Sequence, residues 1–127
     1  MSYSTGFSTL LGRILTAVDI NDDRDVLTFT CDDGSRFWMG HHQDCCETVS
    51  VEEIVGDLPD LIGSPILLAE EVSSTELPEG VQPPEYRDES ETWTFYKLST
   101  IKGSVAIRWY GSSNGYYSEE VSFEAIQ

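Results

Sequence analysis

The sequence predicts a mainly β protein, an α+β chain with one or two short helices, whose antiparallel sheet ends in a C-terminal three-stranded meander. Three observations predict it. Residues 92–126 alternate apolar and polar side chains between glycine-containing turns. Asp32-Asp33-Gly34 separates two runs rich in β-branched and aromatic residues, the signature of a tight hairpin. Helical character is confined to two short stretches, residues 7–12 and 52–63. At 127 residues the chain reads as a single domain, 1–127, long enough to bury most of its apolar side chains without cross-links.

In order along the chain, residues 7–12 (FSTLLG) read as one helical turn, with Ser8 placed to cap it and Gly12 to end it. Residues 13–20 read as a strand and residues 21–25 (NDDRD) as a polar turn. In residues 26–31, Leu27, Phe29 and Cys31 share one face, which aims Cys31 at the core or at a site. After the Asp-Gly turn, the strand over residues 35–40 places Phe37 and Met39 on one side. Residues 48–51 are short and β-prone. Residues 52–63 (EEIVGDLPDLIG) read as one or two helical turns capped by Asp57, with Pro59 in the first turn and Gly63 closing. Residues 64–71 read as a further strand, with Pro65 only at its entry.

Residues 72–91 hold Pro78, Pro83 and Pro84, few apolar side chains and six acids in twenty positions. They predict a long exposed acidic loop. In the meander, Trp93, Phe95 and Ile101 are placed on one face of the first strand, Lys102-Gly103 turns, and Val105, Ile107 and Trp109 align on the second. A turn over residues 112–115 leads into residues 116–126, where Val121 and Phe123 align.

Net charge is −16, and it is unevenly spread. Residues 1–43 carry six acids and three bases, residues 44–91 fourteen acids and one base (Arg87), and residues 92–127 three of each. The middle of the chain therefore holds most of the excess, and the protein's field is one-sided. That field opposes direct binding to nucleic acid or anionic lipid. It favours a basic protein partner, and surfaces built to hold nucleic-acid phosphates are strongly basic. The aromatics of the last third lack the basic neighbours that base stacking uses, so they read as core and cross-strand pairs. No apolar run is long enough to span a bilayer, and the N-terminus lacks the basic start and long apolar segment of a signal peptide. A cytoplasmic location with reduced thiols is expected.

The densest chemistry is HHQDCCE, residues 41–47. Both histidines, His41 and His42, are here, with Cys45 and Cys46, two of the three cysteines, and with Asp44 and Glu47 among them. Imidazole and thiolate donors are what zinc takes in tetrahedral sites. Adjacent cysteines of an extended segment face opposite ways, so one of the two is expected as a ligand, with the remaining donors coming from a histidine or carboxylate of this loop and from elsewhere in the chain, such as Cys31. Two other arrangements stand beside zinc: a buried apolar cysteine next to a free thiol, and a vicinal disulfide.

HHQDCCETVSVEEIVGDLPDLIGSPILLAEE and TWTFYKLSTIKGSVAIRWYGSSNGYYSEEVSF together resemble small proteins encoded by bacteriophages and prophages. In these, QDCCE precedes GDL-x-DLIG-x-PIL, and a TFY-KL-TIKG hairpin leads to RWYG-SNGYYSE. The resemblance covers most of residues 27–124 and carries over no functional residue beyond the QDCCE positions; it favours His41 as a ligand without excluding His42. It implies a phage context, in which small acidic proteins are often counter-defence factors. Some anti-CRISPR proteins offer carboxylates to the nucleic-acid channel of Cas9, and some bind metal.

These readings converge on an expectation of a non-enzymatic, zinc-binding, acidic inhibitor in the cytoplasm of the infected host. Acting as a DNA mimic, it docks on Cas9 or another host defence nuclease and blocks DNA loading. Glu52, Glu53, Asp57, Asp60, Glu70 and Glu71 are the carboxylates expected to face the partner. The alternatives are a metal- or thiol-dependent enzyme built on the His/Cys cluster, and a phage structural protein. Against an enzyme, adjacent side chains are poor geometry for a nucleophile and its base, and no Ser-His-Asp set, phosphate loop, HExxH or Cys-x-x-Cys appears.

Overall fold

Alternating apolar residues build the fold almost entirely from strands. The computed structural model describes residues 2–4, 6–75, 90–115 and 118–126. Its strands are β1 (Ser2–Ser4), β2 (Leu15–Ile20), β3 (Val26–Cys31), β4 (Arg36–Gly40), β5 (Thr48–Val55), β6 (Leu68–Ser74), β7 (Ser90–Thr100), β8 (Gly103–Ser113) and β9 (Ser122–Ile126). Two single 3-10 turns, Phe7–Leu10 and Leu58–Leu61, account for the helical stretches. The strands form a five-stranded sheet, ordered β1-β9-β4-β3-β2, and a four-stranded sheet, ordered β5-β8-β7-β6. Every strand pairing is antiparallel, as the mainly β reading expects.

One hydrophobic core draws on both sheets. Leu27, Phe29, Cys31, Phe37, Met39 and Phe123 come from the first, and Val49, Val51, Tyr96, Leu98, Val105, Ile107 and Trp109 from the second. Phe7 joins them, its ring 4.7 Å from that of Tyr96 and 5.2 Å from that of Phe123. Burying a side chain of this size contributes about 1.5–3 kcal/mol.

Several elements differ from expectation for physical reasons. The meander is made of β6, β7 and β8. The last strand leaves β8 and crosses to the other sheet, where β9 pairs with β4 and β1. Alternation shows that residues 122–126 form a strand but not which neighbour completes its ladder. β5 runs through Glu52 and Glu53 to Val55, because pairing with β8 outweighs the weak helical pattern there. The expected helix is left as the one turn at Leu58–Leu61, whose Asp57 sits at the cap position without a side-chain cap bond. Likewise Gly6, not Ser8, precedes the first 3-10 turn.

β7 buries the face opposite to the one expected. Apolar residues occur at both parities of this strand, and the hairpin decides between them. Leu98 pairs with Val105 and Tyr96 with Ile107, so the apolar face of β8 carries Tyr96 and Leu98 inward. The two-residue turn is Ile101-Lys102, with Ile101 exposed. Trp93 is nonetheless buried, outside the main core, with its ring 5.3 Å from that of Tyr110. The expected loop over residues 72–91 is shortened at both ends by β6 and β7. Its centre, with Pro78, Pro83 and Pro84, lies outside the described residues, as do Tyr116 and Tyr117.

Candidate functional site

HHQDCCE links β4 of the five-stranded sheet to β5 of the four-stranded sheet. Its organising side chain is Glu47, which is buried. The backbone N–H groups of Asp44 and Cys45 donate to the two carboxylate oxygens at 2.8 and 2.9 Å. Gln43 Nε2 donates to Glu47 Oε1 at 3.3 Å and to the Glu47 carbonyl at 2.7 Å. His41 Nε2 lies 2.8 Å from Glu47 Oε2. Burial by itself pushes the Glu47 carboxyl up, but the His41 imidazole and the N–H groups of Cys45 and Asp44 outweigh it and hold the group down at about 2. Glu47 is therefore an ionised anchor around which the loop is wound.

His41 is engaged on both sides. Its Nδ1 lies 2.6 Å from the Glu120 carbonyl. Both ring nitrogens are thus occupied by partners within the protein, one in the loop and one in the segment before β9. His42 is exposed, pairs with Glu124 through Nε2 and lies beside the Trp38 ring. Cys45 and Cys46 are exposed and joined to each other as a vicinal disulfide. Cys31 is buried in the core, and burial, ahead of the opposing charge of Arg13, pushes its thiol up. Among the described residues, no group of three or more His, Cys, Asp or Glu side chains is arranged to hold a metal ion. The four residues expected as ligands thus sit in one loop with their donor atoms directed to other partners.

The expected partner-facing carboxylates fall in three places. Glu52 and Glu53 lie at a register shift in β5 opposite Arg108, with Arg108 Nε 2.7 Å from Glu52 Oε1 and Nη2 2.9 Å from Glu53 Oε2. Asp57 and Asp60 belong to the 3-10 turn that packs near the β7–β8 hairpin, where Thr100 Oγ1 donates to the Asp60 carbonyl. Glu70 and Glu71 lie on β6, at the opposite edge of the sheet from β5, opposite Lys97 and Tyr96 of β7. Three strand spacings put the two edges roughly 14 Å apart. Burial first, and then the neighbouring Glu120 charge, raise the Glu71 carboxyl above its ordinary range, against the opposing effect of Tyr96.

Sequence reading identified the loop but not its wiring. The roles of Glu120 and Glu124 as partners of His41 and His42 come from the crossing of the last strand to the first sheet, which brings residues 79 and 82 positions apart in sequence together. No helix among the described residues is long and apolar enough to cross a membrane. No curated protein and no solved structure matches the chain. A family model, that of a domain of unknown function, DUF7448, matches residues 8–123, nearly the whole length over which the sheets, the HHQDCCE loop and its partners are built, and the chain belongs to that family.

Proposed function

We propose that this protein acts by binding a basic protein surface rather than by catalysis. The observation that carries this reading is the imbalance of exposed charge. Asp19, Asp22, Asp23, Asp32, Asp44, Asp57, Glu70 and Glu120 are exposed, while several of the few described cations are engaged internally. Arg108 is held between Glu52 and Glu53, Arg13 lies against Asp33, and Lys102 donates to the Ile62 carbonyl at 2.6 Å. Such a surface is complementary to a protein that handles nucleic-acid phosphates. The resemblance to phage proteins narrows the partner to a defence nuclease of the Cas9 type in the cytoplasm of an infected host, with loss of DNA loading as the consequence. The non-catalytic reading is supported by the two engaged nitrogens of His41, the buried thiol of Cys31 and the joined sulfurs of Cys45 and Cys46.

The test is binding of the purified protein to Cas9 and to other basic host nucleases over a series of salt concentrations, with DNA competing. A complex that weakens steeply with salt and excludes DNA is expected. Binding that is indifferent to salt, or that leaves DNA loading intact, overturns charge mimicry. Zinc at His41, His42, Cys45 and Cys46 is proposed only for the reduced chain, because a ligating sulfur is a thiolate. Elemental analysis of protein reduced in the presence of zinc, compared with a Cys45→Ser/Cys46→Ser variant, decides that point.

A further inference from the structure

β2 ends the five-stranded sheet, with β3 on one side only. The chain itself closes the first half of its outer edge. The Gly63 N–H donates to the Leu15 carbonyl at 2.9 Å, the Ile66 N–H to the Arg13 carbonyl at 2.9 Å and the Gly12 N–H to the Ile66 carbonyl at 2.8 Å, while Ile62 forms a parallel β-bridge with Leu15. Past Leu15 this cover stops among the described residues. The Asn21 N–H donates to the Val26 carbonyl, and Asp19 and Ala17 follow at alternate positions opposite Thr28 and Thr30, so these residues turn their backbone groups towards β3. Val18 and Ile20 lie between them and turn N–H and C=O outward, where no described backbone group meets them.

Beside this open edge runs a groove of about 240 Å³, lined by Ala17, Val18 and Asp19 of β2 and by Leu58, Pro59 and Ile62. Val18, Ile20, Leu58 and Ile62 pack on the core but are only partly buried, so the core is incompletely closed here. An extended segment laid along β2 meets both needs: its backbone continues the ladder, and every second side chain enters the groove. The other sheet ends are poorer templates. β1 has three residues, β5 carries a register shift between Val51 and Glu53, and the cavity beside β6 is lined mainly by hydroxyl and carboxylate side chains. Charge selects the occupant. Asp19 is exposed on the open stretch, and no Lys, Arg or His is among the described lining residues of the groove. Pairing two copies through β2 would bring together chains of net charge −16, each with an Asp on the shared edge, whereas Lys or Arg across from Asp19 is favourable.

We propose that β2 is a strand-addition site for an extended segment of a protein partner, one in which small apolar side chains alternate with Lys or Arg. The apolar side chains enter the groove between Val18, Leu58 and Ile62, and the basic ones lie on the outer face of the sheet beside Asp19. The source of the segment rests on the reading of a basic protein partner given above. The groove is probed with isolated peptides, so it can fail while nuclease binding holds, or hold while nuclease binding fails.

The experiment is an amide-resolved NMR titration of the full chain, with hydrogen exchange, using the acetylated and amidated peptide Thr-Lys-Val-Lys-Val-Lys-Thr at about 0.15 M salt, where long-range attraction is screened. Saturable shifts at residues 17–20, Leu58 and Ile62 are expected, with slowed exchange of the Val18 and Ile20 amides. The same peptide N-methylated along one backbone edge, or along the other, keeps its charge. Loss of binding with one methylation and not the other is expected, because only one edge faces β2. Asp19→Lys is expected to weaken binding about five-fold or more, the scale of one cross-strand charge pair turned from attractive to repulsive. Equal effects of the two methylations would reduce the binding to charge and overturn the site, as would shifts that never saturate or an affinity unchanged in Asp19→Lys. Protection of Val18 and Ile20 that rises with protein concentration in the absence of peptide would give the edge to a second copy and overturn the proposal as well.

Discussion

His41 Nε2 and Glu47 Oε2 stand 2.8 Å apart, both side chains almost wholly shielded, at the point where the chain passes from one sheet to the other. The pair holds the crossing because the same imidazole reaches the Glu120 carbonyl while the same carboxylate gathers two backbone N–H groups. The folded-state carboxyl sits at about 2, below its ordinary 4.5, so Glu47 contributes stability that is present above pH 4.5 and lost as pH falls through 2. Denaturant unfolding of wild type and Glu47→Gln across this range is the measurement. The wild type is expected to be the more stable above pH 4.5, with the difference closing towards pH 2. A difference independent of pH would mean that the carboxylate charge is not what holds the loop.

Thiol counting follows from the same loop. Alkylation of the denatured, unreduced protein is expected to label Cys31 alone, and reduction first is expected to label all three cysteines, as read by intact mass. Three adducts without reduction would return Cys45 and Cys46 to the pool of metal-ligating thiolates.

Gly56 ends β5 with φ +104°, and a Cβ there would come within 2.4 Å of the Ser104 carbonyl oxygen. Gly34 has a similar φ of +88° but open space around it. Gly34→Ala is expected to cost about 1–2 kcal/mol from backbone conformation alone. Gly56→Ala is expected to cost roughly 1–3 kcal/mol more, because the Cβ must displace backbone. Equal losses in the two variants would argue against the close approach of β5 to β8.

The parts of the fold legible in the sequence are those set by neighbours along the chain. Alternation across an Asp-Gly turn puts Leu27, Phe29 and Cys31 on one face and Phe37 and Met39 on one face, with Cys31 aimed at the core or at a site, and all five are buried in the core. What escaped is decided by contacts distant in sequence. Glu52 and Glu53 carry little β signal of their own and become strand through pairing with β8. Phe123 reads equally well as a partner of β8 or of β4, and only the assembled core distinguishes them. The site shows the same division: the cluster of donors in HHQDCCE is plain in the sequence, whereas the engagement of His41 by Glu120 depends on where β9 goes.

Arg108 offers a test of how the acidic edge is balanced. It is largely shielded and shared by Glu52 and Glu53. Its carboxylate partners stay open to solvent, Glu53 at 52 %, and pairs open on one side contribute about 0.2–1 kcal/mol. Arg108→Met is therefore expected to destabilise modestly, and less when Glu52→Gln and Glu53→Gln are already present. Urea unfolding of the full set as a double-mutant cycle measures the coupling. Strict additivity would mean that the contacts carry no stability.

The inward face of β7 can be settled with two truncations. Tyr96 and Leu98 are fully buried against Ile107 and Val105, while Phe95 lies on the other face, cross-strand from Arg108 and the half-exposed Val72. Leu98→Ala removes packed methyl groups from between two sheets and is expected to cost about 2–5 kcal/mol. Phe95→Ala removes a larger side chain, so transfer from water alone would rank it the more damaging. The expected order is the reverse, because solvent and flexible neighbours can close over a half-buried site but not over one enclosed by both sheets. Chemical unfolding of the two variants gives the answer. A greater loss for Phe95→Ala would place the odd-numbered residues of β7 inward and would shift the β7–β8 register by one.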